Sequence, residues 1–198
     1  MSIEELRSLY PNETAHLVGK GPSLEYLDKS YFGLGPVITI NQAILIVQEL
    51  GLTNPIYSFQ KDGCELGGCP GHECKPPRMV YPHGYIPLIL IQHGYSEFCL
   101  SKHEKKVFID PPGDFGFIET EMSIRIALAV AITMGCSRIS LVCCDSFVGD
   151  MRTFDPLTRR IELLPEYGNY PSVIERMALD LEKIQHQIVI PKQRTNHD

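Results

Sequence analysis

Short apolar runs alternate along this chain with stretches whose apolar residues return every three or four positions. The first pattern predicts buried strands and the second predicts helices with one face on a core. Strands are expected at His16, Leu17 and Val18, at Val37–Ile40, at residues 56–59 and at residues 138–144. Leu24 and Leu27 mark a short helix after the first of these. Ala43, Ile44, Val47 and Leu50 mark a second helix, closed by Gly51 as a C-cap. The clearest helix covers residues 119–134, with Met122, Ile126, Ala129 or Val130, and Thr133 or Met134 at helical spacing and Gly135 ending it. Its alanines (Ala127, Ala129, Ala131) predict a close approach to a sheet. Residues 171–185 form a last amphipathic helix opened by Pro171, followed by a strand at 186–190. Further strands are expected at Met79 to Tyr81, at Leu88–Ile91 and at Lys106–Ile109. Residues 2–10 read as an amphipathic arm that covers an edge.

Strands separated by helices require right-handed crossovers and a parallel sheet. The expected fold is therefore α/β: a Rossmann-like three-layer sandwich with a mostly parallel sheet, a single domain over residues 1–198 with an inserted Cys-rich loop at 63–78. In such sheets ligands collect at the carboxyl ends of the strands. Gly19, Asn41, Asp62 and Asp145 all follow strand ends and fall at that edge.

The junction Gly19-Lys20-Gly21-Pro22-Ser23 follows the first strand and opens the first helix. Glycines permit close backbone approach, and amides in a helix's first turn carry partial positive charge, so this junction suits a phosphate. The bland alternative is a strand-to-helix turn with no ligand. Asp62 and Asp145 can hold a divalent cation or act as a base, with Lys20 or Lys61 neutralising phosphate. Their alternative is N-capping or loop hydrogen bonding. The isolated histidines His16, His93, His103 and His186 read as structural or exposed groups.

Residues 63–77 break the alternation, being rich in glycine and proline. Cys64, Cys69, His72 and Cys74 within this loop can supply the thiolate and imidazole ligands of a structural zinc, with His83 as a substitute. A plain loop of reduced thiols and a disulfide are the other readings. The chain holds seven cysteines, an odd number, and Cys143-Cys144 lies in an apolar run, which fits a reducing compartment better than a secreted framework. A net charge of −6 argues against nonspecific nucleic-acid binding. No run approaches the roughly 20 apolar residues of a membrane span, and the N-terminus lacks a signal pattern, so a cytoplasmic location is expected.

Taken together, Gly19 to Leu24, Ile40-Asn41-Gln42, and residues 129–135 leading through Ile139 to Asp145 and Phe147 resemble bacterial CMP-sialic-acid-dependent sialyltransferases in their nucleotide-binding half. The chain is also similar to the MptE-like proteins, relatives of hydroxymethylpterin pyrophosphokinase. The resemblance implies that the turn at residues 19–23 wraps nucleotide phosphates and ribose, that Asn41 bonds the nucleotide, and that Ser123 reaches the nucleotide or its sugar. It implies as well that Thr153 to Asp155 belong to a lid. The chain departs from the pattern in three places. Ile124 stands where a glycine follows the serine, Phe154 lacks the lid's tyrosyl hydroxyl, and Tyr170 stands where the catalytic histidine is expected. A tyrosine with an ordinary pKa of about 10 is a poor general base at neutral pH.

Two functions follow. One is a glycosyl- or pyrophosphoryl-transferase that binds a nucleotide or nucleotide-sugar, with magnesium accompanying the nucleotide. The other is a non-catalytic nucleotide-binding or interaction module that has lost the histidine.

Overall fold

The runs of apolar residues converge on one sheet. The computed structural model describes residues 3–60, 88–91, 106–109, 123–163 and 170–193. In chain order the strands are β1 (Thr14–Val18), β2 (Val37–Ile40), β3 (Ile56–Gln60), β4 (Leu88–Ile91), β5 (Lys106–Ile109), β6 (Arg138–Val142), β7 (Arg152–Asp155), β8 (Arg160–Leu163) and β9 (Gln185–Val189). The helices are α1 (Ile3–Leu6), α2 (Ile44–Val47), α3 (Ser123–Thr133) and α4 (Tyr170–Leu181), with 3-10 turns at Pro22–Tyr26, Asn41–Ala43, Gln48–Leu50 and Asp145–Val148. Among the described residues seven strands form one sheet in the order β5-β4-β3-β2-β1-β6-β9, and every neighbouring pair is parallel. The fold is α/β and Rossmann-like, as the alternation of periods predicts.

Parallel sheets need both faces covered, and here two apolar clusters do so. Successive residues of a strand point to opposite faces, so β1 divides itself: Ala15 and Leu17 join one cluster and Val18 the other. The first cluster is closed by α3, whose Ile126, Leu128 and Val130 pack with Ile38, Tyr57 and Leu141. Ala127 and Ala131 are fully buried, which lets this helix lie close to the sheet. The second cluster is closed by Leu24, Leu27, Ala43, Ile46 and Val47.

The N-terminal arm is helical only over Ile3–Leu6, beside β5, and then does something periodicity does not predict. The last carbonyls of a helix lack intrahelical partners. The amides of Ser8, Tyr10 and Asn12 donate to the carbonyls of Thr133, Met134 and Gly135 at 3.0, 2.8 and 3.0 Å, so the arm caps α3. Gly135 has φ +89, and a Cβ there would press on Ser8 and Pro11.

Strand β6 stops at Val142 rather than running to residue 144, because Cys143 takes a left-handed φ of 54° that no strand can continue. The antiparallel hairpin of β7 and β8 is absent from the pattern-based reading, which saw only Thr153 to Asp155 as a lid-like segment. Among the described residues no helix is long and apolar enough to cross a membrane. Residues 63–78, with Cys64, Cys69, His72 and Cys74, lie outside the described residues, as do Met79 to Tyr81, Asp62, Lys61, His83, His93 and His103.

Candidate functional site

Strand order reverses between β1 and β6: β2 to β5 extend to one side of β1, and β6 with β9 to the other. The crevice at the carboxyl end of such a switch point is where doubly wound sheets take ligands. Loops after β1, β2 and β6 meet there. They bring Gly19 to Ser23, Asn41 with Gln42, and Cys143 to Val148 to one edge.

The glycine turn does not hold its amides out toward that crevice. Gly19 donates to the carbonyl of Val142 at 2.8 Å, Gly21 to that of Cys143 at 2.9 Å, and Leu24 to that of Gly21 at 3.0 Å. Ser23 gives both of its donors to one carboxylate, the backbone N–H to Asp145 Oδ1 at 3.1 Å and the hydroxyl to Oδ2 at 2.6 Å. Pro22 has no N–H to give. Of the turn's amides that of Ser23 faces an anion, the protein's own Asp145, which holds the Pro22–Tyr26 turn, while those of Gly19 and Gly21 go to backbone carbonyls at the end of β6. The physical reason lies in the position of β6, whose end is close enough to satisfy the turn directly.

The same proximity explains the two glycines. Gly21 has φ −64° and ψ 165°, a conformation any residue adopts, but a Cβ there would overlap the Asp145 carboxylate. A Cβ on Gly19 would sit 2.7 Å from the Cys143 carbonyl oxygen and 2.9 Å from Cys144 Sγ. At both positions the missing Cβ lets two protein loops touch.

Cys143 and Cys144 are buried, and burial raises both thiols, that of Cys144 to about 12. Neither is a thiolate at neutral pH, and neither is a candidate nucleophile. Cys143 instead holds strained backbone. Its left-handed turn is compatible with the bond from Gly21, and its own N–H donates to Val189 at 3.1 Å, so one residue ties β1, β6 and β9 together.

The hairpin seals the turn from the other side. Phe154 N–H and Thr153 Oγ1 both donate to the Lys20 carbonyl, at 2.7 and 3.0 Å, and the Phe154 ring is buried in the second cluster.

What faces the crevice is side chain rather than backbone. Lys20 Nζ donates to Gln42 Oε1 at 2.8 Å, joining the loop after β1 to the loop after β2. Both residues are half-buried. Asn41 takes a left-handed φ of 49°, a conformation asparagine tolerates better than most residues. Its carbonyl accepts from Gln60 Nε2 at 3.1 Å, and the same nitrogen donates to Ser58 Oγ at 2.7 Å. Gln60 is fully buried at the end of β3, so it fixes the strained Asn41 backbone from beneath. Ser123 is the first described residue of α3, which leads away from the carboxyl edge toward Thr133.

The structure therefore brings Gly19, Lys20, Gly21, Pro22, Ser23, Asn41 and Asp145 to one edge, with Ser123 at the helix end on that side. Gln42 and Gln60 are the residues that sequence reasoning missed. Their signal was available: each is a carboxamide placed where an apolar strand ends. His16, expected to be structural, lies buried in β1. Its Nε2 donates to the Leu34 carbonyl at 3.3 Å, its ring packs edge-on to Phe32, and its Nδ1 has no hydrogen-bond partner. Burial lowers its pKa against the opposing pull of the carbonyls of Leu34 and Gly33. His186 is exposed on β9. Among the described residues no group of three or more His, Cys, Asp or Glu side chains is placed to hold a metal ion.

The chain matches no protein-family model and no curated protein sequence.

Proposed function

We propose that this chain binds a nucleotide or nucleotide-sugar at the carboxyl edge beside the switch point and transfers its glycosyl or phosphoryl group. The observation that carries the reading is the Lys20–Gln42 contact of 2.8 Å, which holds one ammonium where the loops after β1 and β2 meet. A cation in that place neutralises phosphate, and the carboxamides of Asn41 and Gln42 have the donors and acceptors that a base or sugar requires. The resemblance to MptE-like proteins and CMP-sialic-acid-dependent sialyltransferases supports the ligand class.

In this account the turn at residues 19–23 is a support rather than a cradle. Asp145 locks Ser23, Ser23 fixes the turn, and the turn presents Lys20. Each carboxylate oxygen of Asp145 accepts one bond from Ser23, so this side chain serves the turn first. Any magnesium would accompany the nucleotide's own phosphates. Transfer would then rest on positioning and charge neutralisation.

A second reading, a binding module without chemistry, is favoured by the same engagement of Asp145. It removes the one described carboxylate that was a candidate base. A thermal-shift panel of CMP, UDP, GDP and ATP, with and without magnesium, tests the shared premise. Ligand at a hundredfold excess over its Kd adds about 2.7 kcal/mol to stability, so at least one of the four should raise Tm clearly. No response to any of them would overturn both readings. Chromatography of the stabilising nucleotide, or its sugar conjugate, after incubation with the protein then separates them: cleaved donor supports the transferase, intact donor the module.

A further inference from the structure

We propose that β9 is the edge through which two copies of this chain pair, antiparallel about a two-fold axis at Gln187. The two ends of the sheet are built differently. Strand β5 begins with Lys106, has α1 beside it, and is followed in sequence by Asp110 and two prolines. Charge, proline and a covering segment are the usual ways a protein keeps a sheet edge from pairing. Strand β8 of the hairpin is guarded similarly by Arg160 and Glu162. Strand β9 itself, Gln185–Val189, holds no charged residue and no proline, and no described residue pairs along its outer edge. Residues 185–190 read Gln-His-Gln-Ile-Val-Ile, with no Lys, Arg, Asp or Glu and no proline before Pro191. Its ladder with β6 is regular over five residues, from Gln185 opposite Arg138 to Val189 opposite Val142, so no bulge twists it away.

The direction of its backbone groups follows from one bond. Cys143 N–H donates to the Val189 carbonyl, so Val189 addresses β6. Along a strand the N–H and C=O groups of successive residues alternate in direction. Gln187 and Gln185 therefore also address β6, while His186 and Ile188 turn theirs outward. No described residue pairs with those outward groups. The side chains there are exposed too, with Ile188 at 37%.

The occupant that fits is a second copy, because the segment complements itself. With Gln187 opposite Gln187, His186 of each copy faces Ile188 of the other, and the four outward N–H and C=O pairs close into four hydrogen bonds. No like charges meet. Five residues a side bury less than the roughly 1,200–2,000 Å² of a stable interface, so the pairing is expected to depend on concentration.

Light scattering on size-exclusion fractions over a concentration series tests this with the whole chain. The mass should rise from 22.3 kDa toward twice that value as concentration increases. Ile188→Pro removes one outward N–H and leaves the β6 ladder intact, and it should weaken association at least tenfold. Ile188→Lys keeps the N–H and adds a charge to the edge. It should also weaken association, and it decides the matter if the proline variant does not fold. A monomer mass at every concentration, or association by folded variants equal to that of the wild type, would overturn the proposal.

Discussion

Two loops leave the same edge of the same sheet and solve opposite problems. After β1, the turn at residues 19–23 gives its donors to β6 and Asp145, and carries the hairpin on the Lys20 carbonyl. After β2, Asn41 and Gln42 keep half-buried side chains at the crevice, and the backbone strain this demands is supported by buried Gln60. The backbone of the glycine-rich loop is scaffold that presents the single side chain of Lys20, and the loop without glycine carries Asn41 and Gln42. Glycine in a turn thus signals close approach, but only the structure says whether the neighbour is a ligand or another part of the chain.

The largest expected break in this comparison is Gly21→Ala. The added methyl overlaps the Asp145 carboxylate, so the variant incurs overpacking and also loses charge-assisted bonds, together about 4 kcal/mol. Chemical denaturation measures it. Combined with Asp145→Gly the two costs should fall well short of their sum, because both act on one contact. A ligand-facing glycine would instead cost little stability and mainly affinity.

Asp145→Ala comes next. It leaves the buried N–H and hydroxyl of Ser23 without acceptors, at about 3 kcal/mol for the pair. A loss below about 0.5 kcal/mol in urea denaturation, the ordinary range for a surface change, would show that the clamp is not structural.

For the side chain that bridges the two loops the expected effect is on binding. Lys20→Ala should change stability by less than about 1 kcal/mol, since a half-exposed polar contact contributes little. The affinity for the stabilising nucleotide should fall at least tenfold, read by calorimetric titration. Equal affinity in the variant would remove Lys20 from the site.

The smallest effect concerns His16, beneath the edge. Its folded pKa is lowered by burial from the ordinary 6.5, so the unfolded chain takes up the proton more readily. Stability is then complete above pH 6.5 and is lost as pH falls through and below that value. Urea midpoints from pH 7.5 down to 5 should decline more steeply for the wild type than for His16→Leu. Parallel profiles would contradict the assignment.

Much of the fold was legible because periodicity reports burial. Val37–Ile40, Leu88–Ile91 and Lys106–Ile109 carry the same bounds in sequence and structure, and α3 ends, as expected, just before Gly135. The misses have local causes. Cys143 ends β6 early through a backbone torsion that no hydrophobic pattern encodes. Residues 42–50 are expected as one helix but fall into 3-10, α and 3-10 turns. The β7–β8 hairpin turns at Asp155, whose carboxylate accepts from Leu157 N–H and Thr158 Oγ1, a turn signal that lay in plain view. The site was half legible. Strand ends located its residues, but the partners of Gly19, Gly21 and Ser23 come from a segment more than a hundred positions away, as Ser23 and Asp145 illustrate.

The central claim is that ligand is received by the side chains of Lys20, Asn41 and Gln42 while the glycine turn stays closed. A nitrogen-15 amide titration with the nucleotide that stabilises the protein tests it most directly. The account predicts the largest shifts at residues 41 and 42, a smaller one at residue 20, and little change in the shift or hydrogen exchange of Gly21 and Ser23. Dominant shifts and faster exchange at Gly21 and Ser23 would mean that the turn opens from Asp145 to grip phosphate itself, and would contradict it.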